Sequence, residues 1–238
     1  MADDARPEPG ADARAEAPRR AGRPRADARA VTGDPTDEIL AAASRLIGEL
    51  GVGGTPMSRN AAEVGLKQSS LYYYFRRKEE ILAALVARAN VVPLELIKQV
   101  TDDGGSAAAQ LYRYVQADVA ALCALPFDIN DIHRIAVRDP VEFASYWKER
   151  ESLERQLARI IRRGTADGQL RSVDPKLTAL TVLSNDEGVQ NWYRLGSRWK
   201  VEAIGSQLAD LVVGGLLADA SQLPQIQREA ADLGPVAS

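Results

Sequence analysis

Cysteine and histidine are almost missing from this chain, with one of each in 238 residues, and aromatic residues make up only 5%. The lone Cys123 excludes an intramolecular disulfide and suits a reducing compartment. The lone His133 has no second His or Cys nearby to complete a metal site, so neither a metal nor a cofactor is expected. No run approaches the roughly eighteen consecutive apolar residues of a membrane span, and the first residues lack the apolar core of a signal peptide. A cytoplasmic protein with no membrane partner is the expectation. A glycine-rich phosphate loop is absent and no catalytic set can be assembled, which argues against an enzyme. Excess positive charge is missing too, since the formal net charge is −3. Spread evenly, that balance would speak against a nucleic-acid partner.

It is not spread evenly. The stretch Thr55 to Lys78, TPMSRNAAEVGLKQSSLYYYFRRK, holds five Lys or Arg against the single acid Glu63, whereas residues 79 to 238 hold 17 basic and 22 acidic residues. Thr55 followed by Pro56 reads as the start of a short helix. Met57, Ala61 and Val64 form its apolar stripe, and Gly65 supplies a tight turn with Leu66 as its anchor. A second short helix is predicted from about Lys67 to Tyr74, with Leu71 and Phe75 facing inward. Gln68, Ser69, Tyr72 and Tyr73 are then left for another surface. Two short helices across such a turn form a helix-turn-helix, whose second helix fits the DNA major groove. Gln68 suits a bidentate pair with adenine, Ser69 and Ser70 are short donors or acceptors, and the tyrosine hydroxyls with Lys78 suit phosphates. Tyrosines at 72, 73 and 74 cannot share one helical face, so at least one is expected to pack into the core.

With DEILAAASRLIGELG upstream and EEILAALV downstream, this segment resembles the N-terminal domain of the TetR family of transcriptional regulators over roughly residues 35 to 90. The pattern G-L-x-x-x-x-L-Y-x-Y-F followed by Lys78 carries the resemblance. It implies that Thr55, Tyr72, Tyr74 and Lys78 hold phosphates and that Ser58, Arg59, Gln68 and Ser69 lie near bases. Two positions depart from the family pattern: Asn60 replaces a large aliphatic residue, and Lys67 replaces a frequent Ser or Thr cap. A helical interaction protein with a degenerate reading head is the reading these two departures favour.

Around this head the chain divides. Residues 1 to 32, rich in Ala, Asp, Arg, Pro and Gly, are expected to be a flexible tail. Its Arg19, Arg20, Arg23, Arg25 and Arg29 either track phosphates or are simply solvated. Asp34 with Pro35 caps a first helix that Gly51 stops, completing a DNA-binding domain over residues 33 to 78. A longer helix from Lys78 carries Ile81, Leu82, Leu85, Val86 and Ala89 as the connector. Turn signals beyond residue 100 separate helices near 106–124, 128–136, 140–165, 175–195 and 200–220, with no strand alternation. The fold class is therefore all-α, with a C-terminal helical-bundle domain for ligand binding and dimerisation over residues 79 to 222 and a C-terminal tail over 223 to 238.

The segment TADGQLRSVDP, ahead of NWYRLG, also resembles C-terminal domains of TetR-type regulators. That resemblance implies a homodimer built from the last two helices. Thr181, Ser184, Gly188 and Trp192 form one stripe with Leu177, and Gly214 and Gly215 interrupt the apolar run LVVGGLL, which suits close helix contact with a twin or within the chain. It also implies an effector of the phenol or acyl-CoA thioester kind. His133, Arg134, Arg138, Trp147, Asp186, Glu187, Gln190 and Asn191 lie within otherwise apolar helices and are the candidate effector contacts. The expected partners are thus a double-stranded DNA operator, a second copy of the chain and an unidentified small molecule.

Overall fold

Asp34 opens the described part of the molecule as an N-cap, its carboxylate accepting from the Thr36 amide at 2.9 Å with Pro35 at the first helical position. The computed structural model describes residues 34 to 236 apart from Leu195, so the tail expected over residues 1 to 32 lies outside the described residues. Helix α1 (Pro35–Leu50) carries Asp37 and Glu38 in its first turn, where the helix dipole favours acids, and ends at Gly51 with φ of 71°. Helices α2 (Met57–Glu63) and α3 (Gln68–Tyr74) are joined through Gly65, whose φ of 66° needs a residue without Cβ. Ile39, Leu40, Ala43 and Ile47 of α1 share one buried cluster with Ala61, Leu71 and Phe75.

Helix α4 (Lys78–Asp102) runs out of this head into the body and contains Pro93, which removes the hydrogen bond that an N–H there would give to the Ala89 carbonyl. The body is completed by α5 (Ala107–Ala124), α6 (Ile129–Ala136), α7 (Ala144–Ala166), α8 (Pro175–Glu187), α9 (Val201–Leu216) and α10 (Leu223–Asp232). Helix α5 is the central post and packs against α4, α7, α8, α9 and α10. Its Leu111, Tyr114, Val115 and Val119 are fully buried, the three aliphatic ones worth roughly 1.5–3 kcal/mol per side chain. Among the described residues there is no strand, only an isolated bridge between Leu170 and Leu217, and no helix is long and apolar enough to cross a membrane.

Three boundaries differ from expectation. Residues 223 to 238 are not simply a tail: α10 docks on α5, where Glu229 receives the Ser106 amide and hydroxyl at 2.6 and 2.7 Å. The buried Arg113 adds an ion pair to Asp103 at 2.7 Å and a bond to the Gly234 carbonyl at 3.1 Å. The helix expected to reach 195 ends at Glu187 and tightens into a 3-10 turn over Gly188–Asn191, which buries Val189. Helix α7 starts at Ala144 rather than 140, because Pro140 sits in a turn in which the Asp139 carboxylate takes the Glu142 amide.

Candidate nucleic-acid interface and inner cleft

Leu71 and Phe75 are buried one turn apart and thereby fix the outward face of α3. Lys67, Gln68 and Ser69 are exposed there, and Ser70 is half-buried. Tyr72, Tyr73 and Tyr74 are 44%, 85% and 38% exposed, so none of the three packs into the core, contrary to expectation; Leu71 and Phe75 already occupy the inward positions. Gln68 donates its side-chain amide to the Tyr72 hydroxyl at 3.2 Å, which holds both polar ends on one face. Tyr73 and Tyr74 meet edge to face at 5.3 Å. On α2, Ser58 and Arg59 are exposed, and Arg59 bonds the Gly54 carbonyl at 3.2 Å.

Two residues given phosphate roles are turned inward. Thr55 is buried and its hydroxyl donates to the Gly51 carbonyl at 3.1 Å, so it does not cap α2, which begins after Pro56. The Lys78 ammonium reaches the Val52 carbonyl, and burial lowers its pKa, with Glu79 opposing. Both side chains brace the loop between α1 and α2. Lys78→Met should therefore cost about 1.5 kcal/mol of stability and leave the salt dependence of DNA binding unchanged. A salt slope smaller by about one in a titration series would instead place Lys78 on a phosphate. Asn60 is buried and its side-chain oxygen has no partner, so the departure at this position leaves an unsatisfied acceptor.

In the body, a cleft of about 480 Å³, its open mouth included, lies between α4, α5, α7 and α8 and the segment ahead of α6. Its walls are mostly aliphatic, with Ala89, Pro93, Leu122, Leu153 and Leu183 among them, and its polar lining is Asn90, Asp118, Arg150 and Glu187. Arg150 grips Glu187 with both terminal nitrogens and keeps Glu154 at 3.9 Å. The Glu187 carboxylate holds the Arg150 guanidinium charged against the cost of burial. Asn90 donates to the Tyr146 carbonyl at 3.3 Å and to Glu149 at 3.4 Å. Asp118 is buried, and burial followed by the nearby Glu187 charge pushes its pKa up to about 7, a rise that the Tyr114 hydroxyl and Arg150 offset only in part. Asp186 stands behind it, fully buried, and its pKa is raised as well, by burial first and then by the Asp118 charge.

The sequence profile described as bacterial regulatory proteins of the tetR family matches residues 39–85, and that of the tetracyclin repressor-like C-terminal domain matches residues 104–216. Together they take in well over half of the chain, including the reading head and most of the cleft. The chain belongs to the TetR family. As a TetR-family protein it is a DNA-binding transcriptional regulator and not an enzyme. Among solved structures it is similar to AibR in complex with isovaleryl coenzyme A and operator DNA, at 22% identity and TM-score 0.67, covering 78% of this chain and 99% of that one. The ketosteroid regulator KstR2 of Mycobacterium tuberculosis matches at 19% identity and TM-score 0.67, over 78% of this chain and 96% of that one. The TetR-family regulator PfmR from Thermus thermophilus matches at 27% identity and TM-score 0.67, over 75% and 98%. No curated protein sequence matches the chain.

Within this TetR-family body the candidate effector contacts scatter. Glu187 lines the cleft and Asp186 adjoins it. Gln190 is spent on backbone: its amide donates to the Leu122 and Phe127 carbonyls at 2.9 and 3.1 Å, and its oxygen accepts from the Ile129 amide at 2.9 Å. His133 bonds the Tyr146 hydroxyl at 2.7 Å, Trp147 donates to the Ala136 carbonyl at 3.3 Å, and Arg134 pairs with Asp131 on the surface. Arg138 and Asn191 are exposed. Asn90, Asp118 and Arg150 were not among the candidates. Asp118 carried a usable signal, as the only acid within the helix AAAQLYRYVQADVAALCA. Of the proposed interface residues, Thr181, Ser184, Trp192 and Gly215 are exposed, and Gly188 and Gly214 are half-buried. The close intrachain approach on α9 falls instead at Gly205, where an added Cβ would stand 3.0 Å from the Gln116 carbonyl oxygen.

Proposed function

We propose that this regulator is a homodimeric repressor that leaves a pseudopalindromic operator when a small molecule enters the cleft. The observation that carries this reading is what the cleft touches. Ala89 and Pro93 belong to α4, the helix that starts at the reading head, and Leu125 and Ile129 flank the Pro126 and Phe127 backbone that lies against Gly48 of α1. A ligand that favours one position of these elements shifts the head through its differential affinity for two arrangements. The fold shared with AibR, whose complex holds isovaleryl coenzyme A and operator DNA together, supports an operator and a small molecule as partners, while release on ligand entry rests on the contacts of the cleft.

A second copy is supported by the outward faces of α8 and α9. Leu177 and Leu211 are 65% and 64% exposed, and a Cβ at Gly215 would meet nothing within the chain. Leu211→Glu is expected to leave the fold intact and give a monomer by sedimentation; an unchanged dimer mass would put the interface elsewhere.

The test of the whole reading is selection of bound duplexes from a random library. A twofold-symmetric winner is expected, and no enriched sequence would leave the interaction-module reading standing. With the winner in hand, Gln68→Ala should lose about 1–3 kcal/mol of discrimination at one base pair. An equal loss for all sequences would remove Gln68 from the bases.

A further inference from the structure

Three of the four polar side chains of the cleft are already committed, and the fourth is not. Arg150 and Glu187 hold each other, and Asn90 is bonded to α7. Asp118 is only 4% exposed, lines the cleft, and has no ion-pair partner among the described residues. The groups facing it increase its isolation. Tyr114, one turn earlier on α5, is fully buried; its hydroxyl lies near Asp118 but outside hydrogen-bond geometry and is itself unpartnered. Asp186 on α8 has one carboxylate oxygen buried without a partner. Glu187, also on α8, adds a negative charge that Arg150 on α7 offsets, while Tyr146 and Glu154 of α7 bring no further cation and α4 presents only Asn90.

We infer that the cleft takes an organic cation with an apolar body, its charged nitrogen paired with the Asp118 carboxylate and its body against the aliphatic walls. This rests on the reading of the cleft as the effector site and names the effector's chemistry. A buried acid without a partner is costly, and a ligand that brings the missing charge or donor recovers that cost on binding. An anion such as a carboxylate or a thioester of coenzyme A would meet Asp118 and Glu187, and would have to displace Glu187 from Arg150 before finding a cation. The raised pKa of Asp118 fits: burial favours the neutral acid when the cleft is empty, and a cation holds it ionised.

The experiment uses the full chain and three probes of one shape: octylamine, octanol and octanoate, titrated by calorimetry at pH 8 and pH 6 into the wild type and Asp118→Asn. Octylamine is expected to bind at least tenfold tighter than the other two, with an affinity that rises severalfold from pH 6 to pH 8 as Asp118 deprotonates. Asp118→Asn should lose at least tenfold for octylamine and leave octanol unchanged. Folding of this variant is checked by its thermal midpoint. A pKa raised above 3.8 makes wild-type stability fall as pH climbs toward 7, so Asp118→Asn should gain midpoint at pH 8 and less at pH 5. Tightest binding by octanoate, equal octylamine binding by both proteins, or no binding by any probe at millimolar concentration overturns the inference. Operator affinity is read separately. Octylamine bound through Asp118 without any change in operator affinity would sustain the cation site and overturn the effector reading.

Discussion

Arg150→Met is expected to be the most destabilising single change in the body, at about 3–5 kcal/mol, which is a large share of a typical domain's roughly 5–15 kcal/mol. The guanidinium is the one cation facing the cleft among the described residues. Its removal leaves the half-buried Glu187 beside Asp118 and Asp186 with no compensating charge. Methionine fills the stem's volume, so the loss comes from the charge and not from a cavity. The deficit should therefore be larger at pH 8 than at pH 5, since protonation relieves uncompensated negative charge, and Arg150→Met combined with Glu187→Gln should recover much of it. Chemical denaturation at the two pH values reads both effects. An equal loss at each pH, with no recovery in the double variant, would mean that Arg150 acts through the packing of its stem.

Gly48→Ala is the second large effect. A glycine inside α1 forgoes roughly 1 kcal/mol of helix stability relative to alanine, and the structure supplies the reason. A Cβ at Gly48 would overlap the Pro126 carbonyl oxygen, a backbone atom that cannot swing aside. The change is expected to cost about 1–3 kcal/mol and to part α1 from the segment between Leu125 and Ile129 of the cleft. Hydrogen exchange should quicken over α1 while α7 and α8 keep their protection. Ligands of the cleft should still raise the thermal midpoint but alter operator affinity less, through α4 alone. Two ion pairs also tie α1 and the start of α4 to the body, Arg77 with Glu142 and Asp37 with Arg88, but both arginines are 54% exposed and too weakly held to carry the coupling alone. Unchanged exchange over α1 would show that the helix slides without loss.

The chain's own pattern was enough for most of the helices, for the caps at Asp34 and Asp174 and for the reading head, but not for the start of α2 or for α10. Asp34 and Asp174 cap with the following prolines, Gly51 and Gly65 turn the chain at positive φ, and Leu71 with Phe75 orients α3. All of these act over a few residues, so spacing and residue type suffice to read them. The orientation of Lys78 and Thr55 was not legible in this way. Their partners are carbonyls of the loop between α1 and α2, and only folding reveals whether a polar side chain near DNA-reading helices faces out or braces the loop behind.

The cleft lies at the far end of that scale. Helix α5 is buried on nearly every face, so periodicity could not say that Asp118 meets a cavity while its neighbour Val119 meets solid packing. Gln190 looked free in sequence and is saturated by backbone from residues 122 to 129. Helix α10 docks through Glu229 and Arg113, whose partners lie more than a hundred residues away. The sequence by itself determined an all-α chain with a DNA-reading head, because helix and turn preferences are local. Only the tertiary structure decided which buried charges are paired and which stands alone at the cleft, because pairing and desolvation depend on which elements are brought together from distant parts of the chain.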